Sequence, residues 1–265
     1  MAQPVLEVND LTYRYRSRGV DSRETSLLNV TLTIPKGARV LLVGQNGAGK
    51  STLMRIMAGR TMVPEGVCKA LGRDAFHDTS LTREVSYLGE WWSQTRNFLD
   101  VTVGMILGKI SEEQRPRVEE LCAVLRVSMN WKLGCLSDGQ LRRSQILFGL
   151  AVFRPVIILD EITTDVDILV RDALLTWLRV ESMERGATIL YATHIFEGTE
   201  EWTPTHMLRC IEGETQLIAV TDIPELRKDN SIYRLVRGWL RAERQLPEPV
   251  RKRNWLDASD CLKVT

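Results

Sequence analysis

The sequence predicts an α/β domain with one inserted helical part, and three observations carry this. A glycine-rich turn, Gly44-Gln45-Asn46-Gly47-Ala48-Gly49-Lys50-Ser51, stands between an apolar run, Arg39 to Val43, and a stretch of helical spacing, Ser51 to Ala58. A second apolar run, Val156 to Leu159, ends in two carboxylates, Asp160 and Glu161. Between them, over about residues 91–153, apolar positions recur with helical periodicity.

The elements follow in order. Val5 to Val8 and Leu27 to Ile34 have the alternation or apolar density of strands, and Pro35-Lys36-Gly37 turns the chain into Arg39 to Val43. That run is apolar throughout after Arg39, as a strand buried on both faces of a sheet requires. The helix from Ser51 stops at Gly59, a residue that accepts the left-handed conformation of a helix end. Val85 to Leu88 reads as a further strand. Glu112 to Leu125 places Val118, Leu121, Cys122 and Leu125 on one helical face, and Leu141 to Phe153 continues in helical style. The sheet resumes with Val156 to Leu159 and Ala187 to Tyr191. Met207 to Ile211 and Gln216 to Val220 resemble a hairpin around Glu212-Gly213-Glu214. Residues 1–220 are therefore expected to form one domain, with a helical subdomain at about 91–153. Residues 221–265, richer in Arg, Trp and Pro, are expected to form a C-terminal appendage.

Composition removes several function classes. The 265 residues carry a net charge of +1 with 26% charged side chains, so no global field draws the chain to nucleic acid or an anionic membrane. No direct nucleic-acid contact is expected. Cys68, Cys122, Cys135, Cys210 and Cys261 are dispersed and odd in number, which argues against a disulfide framework or a zinc site and for reduced thiols inside a cell. Cys135 is expected to be a small buried residue. The longest apolar stretch, Ile146 to Phe153, is cut by Arg154-Pro155, short of the roughly 20 residues that span a bilayer. Met1 to Asp10 reads as the start of a strand rather than a signal peptide. The expected location is cytoplasmic, with the nucleus also open, and no membrane insertion is expected.

The glycine turn fits G-x-x-x-x-G-K-[ST] in its required context, strand before and helix after. Gly44, Gly47 and Gly49 let backbone N–H groups turn toward a phosphate, Asn46 lies in the same loop, and the helix N-terminus adds partial positive charge. Lys50 is expected to reach β- and γ-phosphates and Ser51 to ligate Mg²⁺, with Thr52 next in the nucleotide-contacting run. Asp160, at the C-terminal end of its strand, is placed to hold the same Mg²⁺. Glu161 is then the candidate that orients or deprotonates a water. A strand ending in two solvated acids is common, so this second motif gains its weight from the first.

Leu136-Ser137-Asp138-Gly139-Gln140 precedes a helical run and stands 23 residues before Asp160. It resembles the LSGGQ signature of the ATP-binding cassette (ABC) ATPases. The rest of the chain, roughly residues 5–220, follows that family's order. Tyr15 resembles the aromatic that stacks on adenine, with Tyr13 the alternative. Thr164-Asp165-Val166-Asp167 resembles the D-loop, and His194 resembles the switch histidine. The resemblance implies a P-loop NTPase of ABC type, with a RecA-like core, an antiparallel β subdomain and the inserted helical subdomain. It implies ATP and Mg²⁺ as cofactors, and a head-to-tail pairing with a second ABC protomer, most simply a homodimer. There Ser137, Gly139, Gln140 and Asp167 of one copy would meet nucleotide held by the other.

Two positions depart from the pattern. Asp138 replaces the first glycine of the signature, and a carboxylate there calls for a cation such as Arg142 or Arg143. Glu90 stands where the Q-loop glutamine belongs. It still offers an oxygen to Mg²⁺ or water, so it is kept as a catalytic and metal-site candidate, while Gln94 lies in poorer register. Trp91-Trp92 is either part of the helical core or an exposed patch for a partner. The basic residues of the tail, with Trp239 and Trp255 among them, suit an amphipathic surface helix or a docking or targeting segment. These features resemble the subgroup of eukaryotic ABC proteins without transmembrane domains that is related to a yeast factor associated with the Ccr4–Not complex. That implies an ATPase acting on protein partners, such as those of a gene-regulatory complex. The alternatives are a detached ATP-binding subunit of a membrane transporter and a nucleotide-sensing scaffold that does not hydrolyse.

Overall fold

The computed structural model describes residues 4–15, 25–89, 100–229 and 231–244. In chain order it runs β1 (Pro4–Arg14), β2 (Thr25–Pro35), β3 (Arg39–Gly44), α1 (Lys50–Met57), β4 (Cys68–Ala70), β5 (Arg73–Asp74), β6 (Val85–Leu88), α2 (Val103–Leu107), α3 (Arg115–Leu125), α4 (Asp138–Leu150) and β7 (Val156–Asp160). It continues with α5 (Ile168–Arg185), β8 (Thr188–Ala192), α6 (Thr199–Trp202), β9 (His206–Ile211), β10 (Glu214–Ala219), α7 (Pro224–Asp229) and α8 (Ile232–Arg244).

Two sheets result. The larger has the order β10-β9-β3-β8-β7-β6, parallel except for the edge pair β9–β10, and the smaller is antiparallel in the order β2-β1-β4-β5. β1 is longer than its apolar start suggests: Leu11 and Tyr13 keep pairing with β2 across several register shifts. The 212–213 turn of the β9–β10 hairpin has positive φ at both Glu212 and Gly213, which suits the twist of a two-residue hairpin loop.

Alternation along the buried strands separates the core into two layers. Leu41, Val43, Ile157, Leu159, Ile189, Tyr191 and Met207 belong to a layer shared with α3, α4 and α5. Val40, Leu42, Val156, Ile158, Leu190, Ala192 and Leu208 belong to a layer shared with α1 and the antiparallel sheet. The continuous apolar runs are thus explained by helices on one face and α1 with a second sheet on the other. Asp160 continues the Val156–Ile158 register, which brings it to the α1 side of the sheet.

The helical insertion is fastened to α5 through buried charge. Glu181 accepts from Arg117 at 2.7 Å and from Arg185 at 2.6 Å. The Arg117 guanidinium also lies 4.7 Å from the Trp177 ring centre and donates to the Leu150 carbonyl at 2.8 Å. The last described helices return to the domain. Ile223, Leu226, Ile232, Leu235 and Val236 share a core layer with Leu41 and Tyr191, and the Arg209 guanidinium lies 5.2 Å from the Trp239 ring centre. These side chains of α7, α8 and the turn before them therefore cover part of the core rather than standing apart from it. Among the described residues no helix is long and apolar enough to cross a membrane.

Candidate functional site

The loop after β3 is shaped by glycines that nothing else can replace. A Cβ on Gly44 would lie 2.4 Å from the Cys210 carbonyl of neighbouring β9. Gly49 has φ +90°, and its Cβ would lie 2.3 Å from the Ser26 carbonyl. The loop is thereby clamped between β9 and β2. Lys50 Nζ donates to the Gly44 and Gln45 carbonyls at 2.8 and 2.9 Å, using two of its three protons and holding the ammonium at the centre of the loop. A cleft of about 670 Å³ lies over it, lined by Tyr15, Ser26, Asn46, Gly47, Gly49, Lys50, Ser51, Thr52, Glu161 and His194.

The two acids take different environments from adjacent positions. Asp160 is 8% exposed, and burial raises its carboxyl above the ordinary range, with the charge of Glu161 adding to this. Hydrogen bonds from Ser51 and Tyr87 and the charge of Lys50 oppose the shift. The Tyr87 hydroxyl donates to Asp160 Oδ2 at 3.2 Å, and its own pKa is pushed up to about 12 by burial and by that carboxylate. A desolvated carboxylate beside a serine hydroxyl is a donor pair suited to a hard divalent cation. Among the described residues no group of three or more His, Cys, Asp or Glu side chains could hold a metal ion. Any cation at Ser51 and Asp160 would need further oxygens from phosphate and water, as Mg²⁺ commonly takes. The residues present therefore fit a magnesium–nucleotide complex.

Glu161, directly after β7, has φ +51°, a left-handed backbone for a non-glycine residue, held by its N–H donating to the Ala192 carbonyl at 2.9 Å. Its Oε1 lies 3.4 Å from His194 Nδ1. The chain places both at one end of the cleft, half-buried and exposed respectively. At the other end, the Tyr15 hydroxyl is 3.0 Å from Thr52 Oγ1, which also accepts from Ser26 at 2.9 Å. Tyr13 meets the Tyr15 ring edge-on at 5.2 Å and packs on the core layer of the antiparallel sheet, so Tyr15 is the aromatic presented to the cleft.

The signature forms the start of α4. Ser137 Oγ accepts from the Gln140 N–H at 3.3 Å while Gln140 Oε1 accepts from the Ser137 N–H at 3.0 Å, a reciprocal capping box. Gly139 lies against the D-loop, where a Cβ would be 3.3 Å from the Asp165 carbonyl. Asp167 caps α5 by accepting from the Val170 N–H at 3.1 Å. The cations expected to answer Asp138 are directed elsewhere: Arg142 reaches Asp165 at 3.2 Å, and Arg143 reaches the carbonyls of Gly139, Leu125 and Arg126. Asp138 is exposed instead. Cys135 is also exposed, not buried, because it lies on the short turn that leads into the cap.

The structure thus gathers Tyr15, the P-loop, Glu161 and His194 around one cleft, with Asp160 in an adjoining cavity that shares Ser51 and Glu161, and leaves Ser137, Gly139, Gln140 and Asp167 outside both linings. Glu90, Trp91, Trp92 and Gln94 lie outside the described residues, as do 245–265. Sequence reasoning missed Ser26 and Tyr87, whose partners lie 26 and 73 residues away. It also missed that α8 contributes Tyr233, Arg237, Leu240 and Arg241 to a second cavity beside the P-loop, although the apolar spacing of Ile232, Leu235, Val236 and Trp239 was there to be read.

Comparison with known proteins agrees with this geometry. A family model described as ABC transporter matches residues 27–164. ABC transporter I family member 20 of Arabidopsis thaliana is 38% identical over 93% of this chain and 79% of its own length. CCR4-associated factor 16 of Saccharomyces cerevisiae is 30% identical over 94% of this chain and 98% of its own. Among solved structures, an ATP-binding subunit of an ABC transporter superposes with a TM-score of 0.71 at 24% identity, covering 89% of this chain and 99% of that one. A dimeric ATP-binding cassette bound to ADP and phosphate superposes with a TM-score of 0.67 at 22% identity, over 81% of this chain and 98% of that one. With the P-loop, the paired acids and the capped signature in one chain, and relatives matching nearly its whole length, the chain belongs to the ABC transporter family and is an ABC ATPase.

Proposed function

We propose that this ATPase binds MgATP between two copies of itself and uses hydrolysis to switch their association, acting on protein partners. The observation that carries the reading is the division of the site. One chain supplies phosphate loop, Glu161 and histidine to a cleft, with Asp160 beside it, while its signature serine, at the start of α4, does not line that cleft. A second copy related by a two-fold axis brings the missing helix N-terminus to the γ-phosphate, and does so twice. In this reading Lys50 and the loop N–H groups bind the phosphates, and Ser51 and Asp160 hold Mg²⁺. Glu161, positioned beside His194, accepts a proton from the attacking water. Mg²⁺ supplies charge neutralisation at the phosphates when bound.

Tyr15 is assigned to the adenine face. Tyr15→Ala is expected to weaken ATP binding by about 1–3 kcal/mol, roughly five- to 150-fold, whereas Tyr15→Phe keeps the stacking surface. A fluorescence titration with ATP checks this, and equal affinity for the alanine variant would move adenine elsewhere.

One relative, matched over 98% of its own length, favours partners other than a transport channel, since it is named as an associate of CCR4. The reading therefore extends to a gene-expression complex as the client. Affinity purification of a Glu161→Gln chain from cells, with and without ATP, tests it. Recovery of proteins of a gene-regulatory complex that depends on ATP supports the proposal. Recovery of polytopic membrane proteins instead would make the chain a transporter subunit.

A further inference from the structure

A second cavity, of about 350 Å³, shares Asn46, Lys50 and His194 with the first. Gln45 and Asn46 of the P-loop line it together with Phe196 and, from α8, Tyr233 and Leu240. The exposed Arg237 and Arg241 of α8 line it as well. α8 is pinned by Ile232, Leu235 and Val236, which are buried in the core, so this wall is fixed. An apolar groove carrying two guanidinium groups fits an apolar segment flanked by acids.

The same chain presents such a segment. At the start of α5, Ile168 is 57% exposed and Leu169 is 61% exposed, and they follow the exposed Asp165 and Asp167. Single exposed aliphatics are ordinary, but an adjacent pair beside two carboxylates is complementary to this groove in both shape of charge and polarity. Asp167 uses one oxygen to cap α5 and retains acceptor capacity for a guanidinium.

Connectivity decides where this segment travels. Asp165 is tied to α4 of its own chain by Arg142 at 3.2 Å, and its carbonyl abuts Gly139. Any arrangement that carries the signature of one copy to the P-loop of another therefore carries residues 165–169 with it. The receiving P-loop is itself a wall of the groove. We propose that the groove between the P-loop and α8 receives the Asp165–Leu169 segment of a second copy, with Ile168 and Leu169 against Phe196, Tyr233 and Leu240, and the two aspartates against Arg237 and Arg241. This inference rests on the head-to-tail dimer proposed above and assigns α8 a part in it. Because the interface is isologous, the contact forms twice per dimer.

The test uses the full chain carrying Glu161→Gln, with light scattering to follow MgATP-dependent dimerisation. Adding Arg237→Glu and Arg241→Glu is expected to weaken dimerisation by about tenfold or more while ATP binding by the single copy stays unchanged. In parallel, Leu169→Cys and Tyr233→Cys placed in one chain are expected to cross-link between copies only with MgATP, with each single substitution controlling for the native thiols. If the dimer forms with undiminished affinity in the arginine variant and no cross-link appears, the groove is not part of the interface, although the dimer itself stands. If the arginine reversal spares dimerisation yet abolishes binding to phosphatidylserine vesicles or single-stranded RNA, the groove serves that ligand and the inference fails. If even the Glu161→Gln chain with MgATP stays monomeric, the dimer and the inference fall together.

Discussion

Glu161→Gln is expected to lower ATP turnover by about 100- to 10,000-fold while ATP binding is retained and ATP-bound dimers accumulate. The amide is the same size as the carboxylate, so the left-handed turn at φ +51° and its bond to Ala192 have no reason to change. What disappears is the proton acceptor 3.4 Å from His194 and one negative charge close to Lys50 and Asp160. Losing that charge reduces repulsion toward a triphosphate, so binding is spared or strengthened as chemistry stops. Phosphate release measured alongside light scattering with MgATP separates the two effects. Turnover within threefold of the unmodified chain would remove Glu161 from the proton-transfer role.

The largest effect on stability is expected at Glu181→Ala. Glu181 is 0% exposed and accepts from both Arg117, itself 6% exposed, and Arg185. Burial pulls the Arg117 guanidinium below its ordinary pKa, and Glu181 supplies the main opposing attraction. Removing the carboxylate leaves a buried cation whose NH2 atom already lacks a partner. Breaking such a pair costs about 3–5 kcal/mol, which lowers Tm by roughly 6–20 °C for a domain of this size. Replacing both members, Arg117→Met with Glu181→Leu, is expected to recover most of the loss, since the burden is the unpaired charge rather than the absent bridge. Calorimetry on the single and double variants checks this. Equal destabilisation by both would show that packing of α3 on α5, not charge, sets the cost.

Much of the site was legible because it is built from local signals. A strand–glycine turn–helix and a strand ending in two acids each lie within about a dozen residues, and the sheet brings them together because β3 and β7 both flank β8. The Ser137–Gln140 cap is likewise a four-residue pattern that names its own helix start. Contacts that depend on distant partners were not legible. Nothing in sequence tells Arg142 to prefer Asp165 over Asp138, because the D-loop reaches α4 only after α5 and β7 are in place. Tyr87 meets Asp160 only through the β6–β7 pairing. α8 was set apart at residue 220 by composition, yet its apolar face completes the core, a choice made by packing that composition does not encode.

The cap at the signature has a consequence for how the two copies would communicate. A serine hydroxyl has two lone pairs and one proton, so Ser137 can accept from Gln140 while donating its proton to an anion. Hydrogen bonds chained in this way polarise and reinforce one another rather than compete. Phosphate captured from the facing chain would then tighten the first turn of α4 instead of unravelling it. Through Arg142 and Asp165 that stiffening passes to the origin of α5, so each copy would register its neighbour's nucleotide as a change in the rigidity of its own helices.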